Sequence, residues 1–154
     1  MTFGIVAAGE GQAAWLVGDT YTLKATAEQT RGLFGLVEAS VRVGGGPPPH
    51  VHSREDEAFY LLDGELEIST DGQVATAGSG DFVYLPRGSE HSFRNTSSRP
   101  TRMLILVTPG GFERFFVDAG RPARAGEPAP PADPADFARI AELSARLGSD
   151  LVAQ

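Results

Sequence analysis

The sequence predicts an all-β domain over residues 1–119, an antiparallel sandwich or barrel, followed by a helical appendage over residues 120–154. Three observations predict it. Short β-branched and aromatic runs alternate with turn signals at intervals of about eight to twelve residues, the rhythm of antiparallel strands. Nineteen glycines and eleven prolines supply the breaks, among them Asp71-Gly72, Gly78 to Gly80 and Pro86-Arg87-Gly88. The composition then shifts to Pro and Ala between Gly120 and Pro134.

In chain order the strand candidates are AAWLV (13–17), TYTLKAT (20–26), LFGLVEASVRV (33–43), EAFYLL (57–62) and ELEIST (65–70). QVATA (73–77), DFVYLP (81–86), HSFRN (91–95) and RMLILVT (102–108) follow. The stretch GRPARAGEPAPPADP is a stiff, partly polyproline-like linker. After it, Asp133 is placed to cap a helix with Pro134 at its first position and Gly148 as its stop. Phe137, Ile140, Ala141 and Leu147 fall on one face of that helix, which must be buried somewhere. Two docking places are open: the outside of the β-domain, or the barrel mouth. No internal repeat is present.

A chain of 154 residues is long enough for one sizeable core. Thirteen basic against twenty acidic residues, a formal charge of −7, leave no basic patch to neutralise phosphates, so nucleic acid is not an expected partner. With no cysteine, any metal must be held by His and carboxylates. The first residues lack a basic segment before an apolar run, and MLILV (103–107) is far too short to span a bilayer. A soluble cytoplasmic protein with no membrane partner is expected.

Two of the three histidines, His50 and His52, stand two apart after Gly44 to Pro49. On an extended strand both imidazoles project to one face and can share an ion. Glu57 lies five residues beyond His52, the wrong parity on an unbroken strand, but the polar Ser53 to Asp56 is a natural turn after which it can re-enter from a neighbouring strand. His91 follows a Pro/Gly corner that opens another strand and makes a third nitrogen ligand available. Three imidazoles and a carboxylate suit first-row divalent metals with coordination positions left open. The prolines before His50 either stiffen an edge strand or simply connect.

The spacing carries a resemblance. Gly44, His50, His52, Glu57 and Gly64 match the first motif of the cupin family without a gap, and Gly80, Pro86, Gly88, His91 and Asn95 match the second. The chain thus resembles small single-domain cupins of the quercetin dioxygenase-like group. That resemblance implies a double-stranded β-helix (jelly-roll) barrel in which His50, His52, Glu57 and His91 bind one divalent transition metal per chain, drawn from Fe, Ni, Mn, Co, Cu or Zn. It also picks Glu57 over its acidic neighbours Glu55 and Asp56, as ligand and as catalytic base.

The activity implied is a metal-dependent dioxygenase acting on an aromatic or enolisable small molecule. The alternatives are a non-oxidative isomerase, epimerase or cyclase, and a cupin that only binds a small ligand. By strand parity Phe59 and Leu61 share a face with Glu57, and Phe93 with His91, so these three are the expected substrate pocket. Phe112, Phe115 and Phe116 either close the barrel end or face substrate. Asn95 reads as a turn residue, and Trp15, Tyr21, Tyr60 and Tyr84 as core or interface. Cupins of this size commonly pair through edge strands, and a homodimer is expected because an uncovered sheet edge is a liability.

Overall fold

Strict alternation of apolar and polar side chains builds the sheets. In the computed structural model, which describes residues 4–152, the strands in chain order are β1 (Ala13–Leu16), β2 (Asp19–Ala25), β3 (Gly35–Val41), β4 (His50–His52), β5 (Asp56–Asp63) and β6 (Glu65–Thr70). They continue with β7 (Gln73–Gly78), β8 (Phe82–Leu85), β9 (Glu90–Arg94), β10 (Thr101–Thr108), β11 (Arg121–Pro122) and β12 (Ser149–Leu151). A seven-stranded sheet runs β11-β1-β2-β3-β10-β5-β8, and a five-stranded sheet runs β12-β4-β9-β6-β7. The all-β expectation holds, and the sequence runs named above map onto β1 to β3 and β5 to β10.

The inner faces of both sheets share one core. Val37, Ala39 and Val41 of β3 meet Met103, Ile105 and Leu61 across the larger sheet, while Leu66, Ile68 and Phe93 come from the smaller one. Met103 and Leu61 are fully buried. Each such side chain contributes about 1.5–3 kcal/mol by leaving water. Truncating Met103 to Ala should cost about 2–5 kcal/mol, because the surrounding strands can close the cavity only in part.

Three short α-helices complete the described residues: α1 (Ala27–Thr30), α2 (Arg114–Ala119) and α3 (Phe137–Arg146). Thr26 and Gln29 cap α1 reciprocally through their side chains and backbone N–H groups. The buried carboxylate of Glu113 accepts from the N–H groups of Ala27 and Gly111 and so ties α1 to the loop before α2. Phe115, Phe116 and Ala119 bury one face of α2.

The C-terminal segment starts as the sequence predicts. The Asp133 side chain accepts from the Ala135 N–H, Pro134 opens a single 3-10 turn that leads into α3, and Gly148 ends the helix with φ +85°. Its docking place is the barrel mouth. Ile140, Leu143 and Leu147 pack against the core, and β12 adds an antiparallel strand to β4, pairing Ser149 with His52 and Leu151 with His50. Ser53 fastens the junction, its N–H and hydroxyl both donating to the Gly148 carbonyl. Among the described residues, no helix is long and apolar enough to cross a membrane.

Candidate metal centre

Local geometry explains why two histidines sit on β4. Gly46 has φ +137°, and a Cβ there would collide with the Phe93 carbonyl oxygen, so only glycine lets the chain come this close to β9. Gly44 and Asn95, and Asn95 and Gly45, are joined by backbone hydrogen bonds on the approach. His50 then pairs directly with His91 on β9. Val51 turns outward, leaving His50 and His52 on the inner face.

Glu57 arrives from the other sheet. After β4 the chain crosses at Ser53 to Glu55 and enters β5, where Glu57 pairs with Val107 and Leu85. The expected turn is therefore a crossover between sheets. It brings three imidazoles from one sheet against one carboxylate from the other. One donor atom from each of His50, His52, Glu57 and His91 lies within 4.8 Å of the others, so the cluster could hold a metal ion. Glu57 Oε2 is 2.9 Å from His52 Nε2 and 3.2 Å from His91 Nε2.

The other ring nitrogens fix which atom faces the centre. His50 Nδ1 lies 2.9 Å from the Pro48 carbonyl oxygen and His91 Nδ1 lies 3.3 Å from that of Ser89. A carbonyl can only accept, so each Nδ1 carries the proton and each Nε2 offers a lone pair inward. His52 Nδ1 points at Glu55 Oε2 across 3.5 Å, and both atoms are buried without a hydrogen bond. A ligand imidazole that donates its second N–H to a carbonyl or carboxylate is the ordinary support of a metal site. The donor set therefore fits a divalent transition metal.

Electrostatics agree with that fit. Burial, helped by the neighbouring His91, pushes His50 down to about 4, so it is a neutral ligand at neutral pH. Burial opposes charge on His52 too, but the Glu55 and Glu57 carboxylates outweigh it and raise His52 to about 9. Glu57 is held well below the usual carboxylate range because His52 and His91 overcome its burial. The cluster is built to hold positive charge at its centre.

Beside it lies a cavity of about 310 Å3 whose wall includes His50, His52 and Glu57. Its lining is mainly aromatic and aliphatic, with Phe112, Phe115 and Phe116 from α2 and the loop before it, and Phe137 and Ile140 from the C-terminal segment. Phe112 stands edge-on to His52 at 4.5 Å. The three phenylalanines sit at the barrel end and line the cavity. Among the described residues, no Lys or Arg lines it.

Of the expected pocket residues, Phe93 lines the cavity, whereas Phe59 and Leu61 do not and are corrected to core. Their parity is right, but each step of two residues along β5 moves a side chain about 6.6 Å farther from Glu57. Phe93 packs edge-on over Phe59 at 5.4 Å. Asn95 is a turn residue as expected, its amide donating to the Val41 and Arg99 carbonyls and its oxygen accepting from Ser97.

Sequence reasoning missed three polar residues. Glu55 is buried against His52, and Asp19 and Tyr21 line the cavity from β2. The signal for the latter pair was the alternation Asp19, Tyr21, Leu23, which sets a carboxylate on the inward face of a strand.

A model of the cupin domain matches residues 37–107, a span that contains all four cluster residues. Quercetin 2,3-dioxygenase of Bacillus subtilis (strain 168) is 32% identical over 118 residues, covering 77% of this chain and 35% of that protein. Polyketide synthase CurC of Streptomyces cyaneus is 31% identical over 94 residues, 60% of each chain. The chain thus spans about a third of the first relative and 60% of the second. Among solved structures, KdgF from Halomonas sp. shares the fold with a TM-score of 0.65 at 18% identity, over 73% of this chain and 99% of that one.

Proposed function

This chain belongs to the cupin superfamily, and we propose that it is a metal-dependent dioxygenase acting on a neutral aromatic or enolisable small molecule. The observation that carries the reading is the opening of a three-His, one-Glu cluster onto an apolar, aromatic-walled cavity. His50, His52, Glu57 and His91 would hold one divalent ion. When bound, it would supply Lewis acidity toward a substrate hydroxyl or enol oxygen.

The chain's own residues do the rest. Glu57, the carboxylate of the cluster and part of the cavity wall, takes the proton of that oxygen as general base. Glu55, 3.5 Å from His52 Nδ1, is the carboxylate that favours a proton on that nitrogen. Phe93, Phe112 and Phe116 offer ring faces and edges to a flat substrate, and α3 with β12 keeps water from the mouth. Among the described residues no Lys or Arg lines the cavity, so a phosphate there would meet no guanidinium or ammonium group.

A second reading is non-oxidative cyclisation or isomerisation of an enolisable substrate, and one relative is named as a polyketide synthase rather than an oxygenase. The same cavity and the same Glu57 serve it. Oxygen-electrode assays of metal-loaded protein with flavonols, diketones and catechols separate the two. Uptake that follows substrate consumption is expected; product formation at an equal rate under strict anaerobiosis would replace the dioxygenase with the cyclase or isomerase.

The proposal extends to assembly as a homodimer. β8 is the edge of the larger sheet, and Phe82, Tyr84 and the adjoining Tyr60 of β5 are exposed there. An apolar edge of this kind is normally covered.

A further inference from the structure

Among the polar residues that line the cavity, Asp19 and Tyr21 take no part in the chemistry above. Asp19 and Tyr21, two apart on the inner face of β2, are both buried and both line the cavity. Asp19 Oδ1 accepts from the Arg42 N–H at 2.9 Å, which fixes the carboxylate. Its Oδ2 meets the Tyr21 hydroxyl at 3.4 Å, longer than the roughly 2.5–3.0 Å of a full O–H···O bond. Tyr21 is itself stacked on Phe116 at 4.4 Å and is held in place.

Both groups therefore keep hydrogen-bonding capacity that no protein atom uses. The surrounding wall, including Leu16, Ile105 and Phe116, is apolar. The bond to Arg42 needs only one acceptor oxygen, which an asparagine would supply equally. Burial pushes the Asp19 carboxyl up to about 6, the mark of a charge kept out of water at a cost. Such groups are retained where a ligand completes them.

We propose that Asp19 and Tyr21 form a hydroxyl-recognition subsite, apart from the metal ligands, that selects aromatic substrates carrying a second free hydroxyl. It rests on the reading of the cavity as a substrate pocket. The substrate hydroxyl sits on the cavity side of the pair and bridges it, donating to Asp19 Oδ2 and accepting from the Tyr21 hydroxyl, which swings its proton from Asp19 to the ligand. An ether or carbonyl has no proton for Asp19, and a carboxylate is repelled by it. The first hydroxyl of the same molecule goes to Glu57 and the metal cluster.

The probes are a naphthol and the dihydroxynaphthalenes, titrated anaerobically into metal-loaded wild type, Tyr21→Phe and Asp19→Asn, with metal content measured on every sample. Wild type should bind at least one diol about tenfold more tightly than the naphthol, the size of one good buried hydrogen bond. Either substitution should shrink that preference to within about twofold while naphthol affinity and metal content stay put. Binding of no probe by wild type, no diol preference, or a preference that survives both substitutions would overturn the subsite. Oxygen uptake on the same samples reports separately on the function: a diol preference without uptake leaves the subsite standing and removes the dioxygenase.

Discussion

Replacing Asp19 by Asn should make the protein more stable at neutral pH, although it removes a functional group. Burial raises the Asp19 carboxyl from 3.8 to about 6, against the pull of the Arg42 N–H, the Arg42 charge and the Tyr21 hydroxyl. A raised carboxyl means that the folded chain holds the proton more tightly than the unfolded chain. The stability it contributes is therefore full below pH 3.8 and is lost as the pH rises through about 6. Above that the ionised group costs up to about 3 kcal/mol, since each tenfold change in proton affinity corresponds to about 1.4 kcal/mol. Asparagine keeps an acceptor for Arg42 and carries no charge. Urea unfolding across a pH series is the assay. At about pH 7.5 the variant should exceed wild type by about 1–3 kcal/mol, with the gap closing as the pH falls toward 4. A variant no more stable than wild type at neutral pH, or a gap that ignores pH, would refute the claim that this charge is buried at a cost.

The remaining predictions address the metal site, the mouth and the assembly. Glu55→Gln should weaken metal affinity about 10–100-fold by loosening His52, whereas Asp56→Asn, an exposed partner of Arg87, should leave it unchanged; competition with a chelator measures both. Equal affinities would return Glu55 to the role of a bystander. Ile140→Ser puts a hydroxyl into the cavity wall and should raise KM for an apolar substrate several-fold with metal content intact; a loss of metal instead would mean that α3 supports the centre rather than the mouth. Wild type should scatter light as a dimer and the Phe82→Glu, Tyr84→Lys double variant as a monomer. A monomeric wild type at micromolar concentration would dispose of the dimer.

How much of the molecule is legible in the sequence follows from what local pattern encodes. Alternation in LVEASV and RMLILV marks β3 and β10 because an inward face is a property of one strand alone. The spacing of His50, His52, Glu57 and His91 is legible in the same way, but what excuses the parity of Glu57 is a crossover between sheets at Ser53 to Glu55 rather than the expected turn. Parity says which face a side chain takes and nothing about depth, so it sets Phe59 and Leu61 beside the metal when both lie in the core, Phe59 against Phe93. The three-residue β12 carries no period of its own; it exists because β4 offers a free edge once α3 has docked. Glu55 looks like one of three adjacent acids, and only the crossover between sheets shows that it turns in toward His52 while Asp56 turns out toward Arg87. Asp19 and Tyr21 can be read as a pair only once the opposite wall of the cavity is known.

The central claim is that one four-donor centre holds one metal ion on the wall of an apolar cavity. Elemental analysis of anaerobically purified protein tests it most directly. Wild type should carry about one transition-metal ion per chain, while His52→Ala and His91→Ala, folded by circular dichroism, should carry almost none. Folded variants that both keep the wild-type metal content would contradict the account.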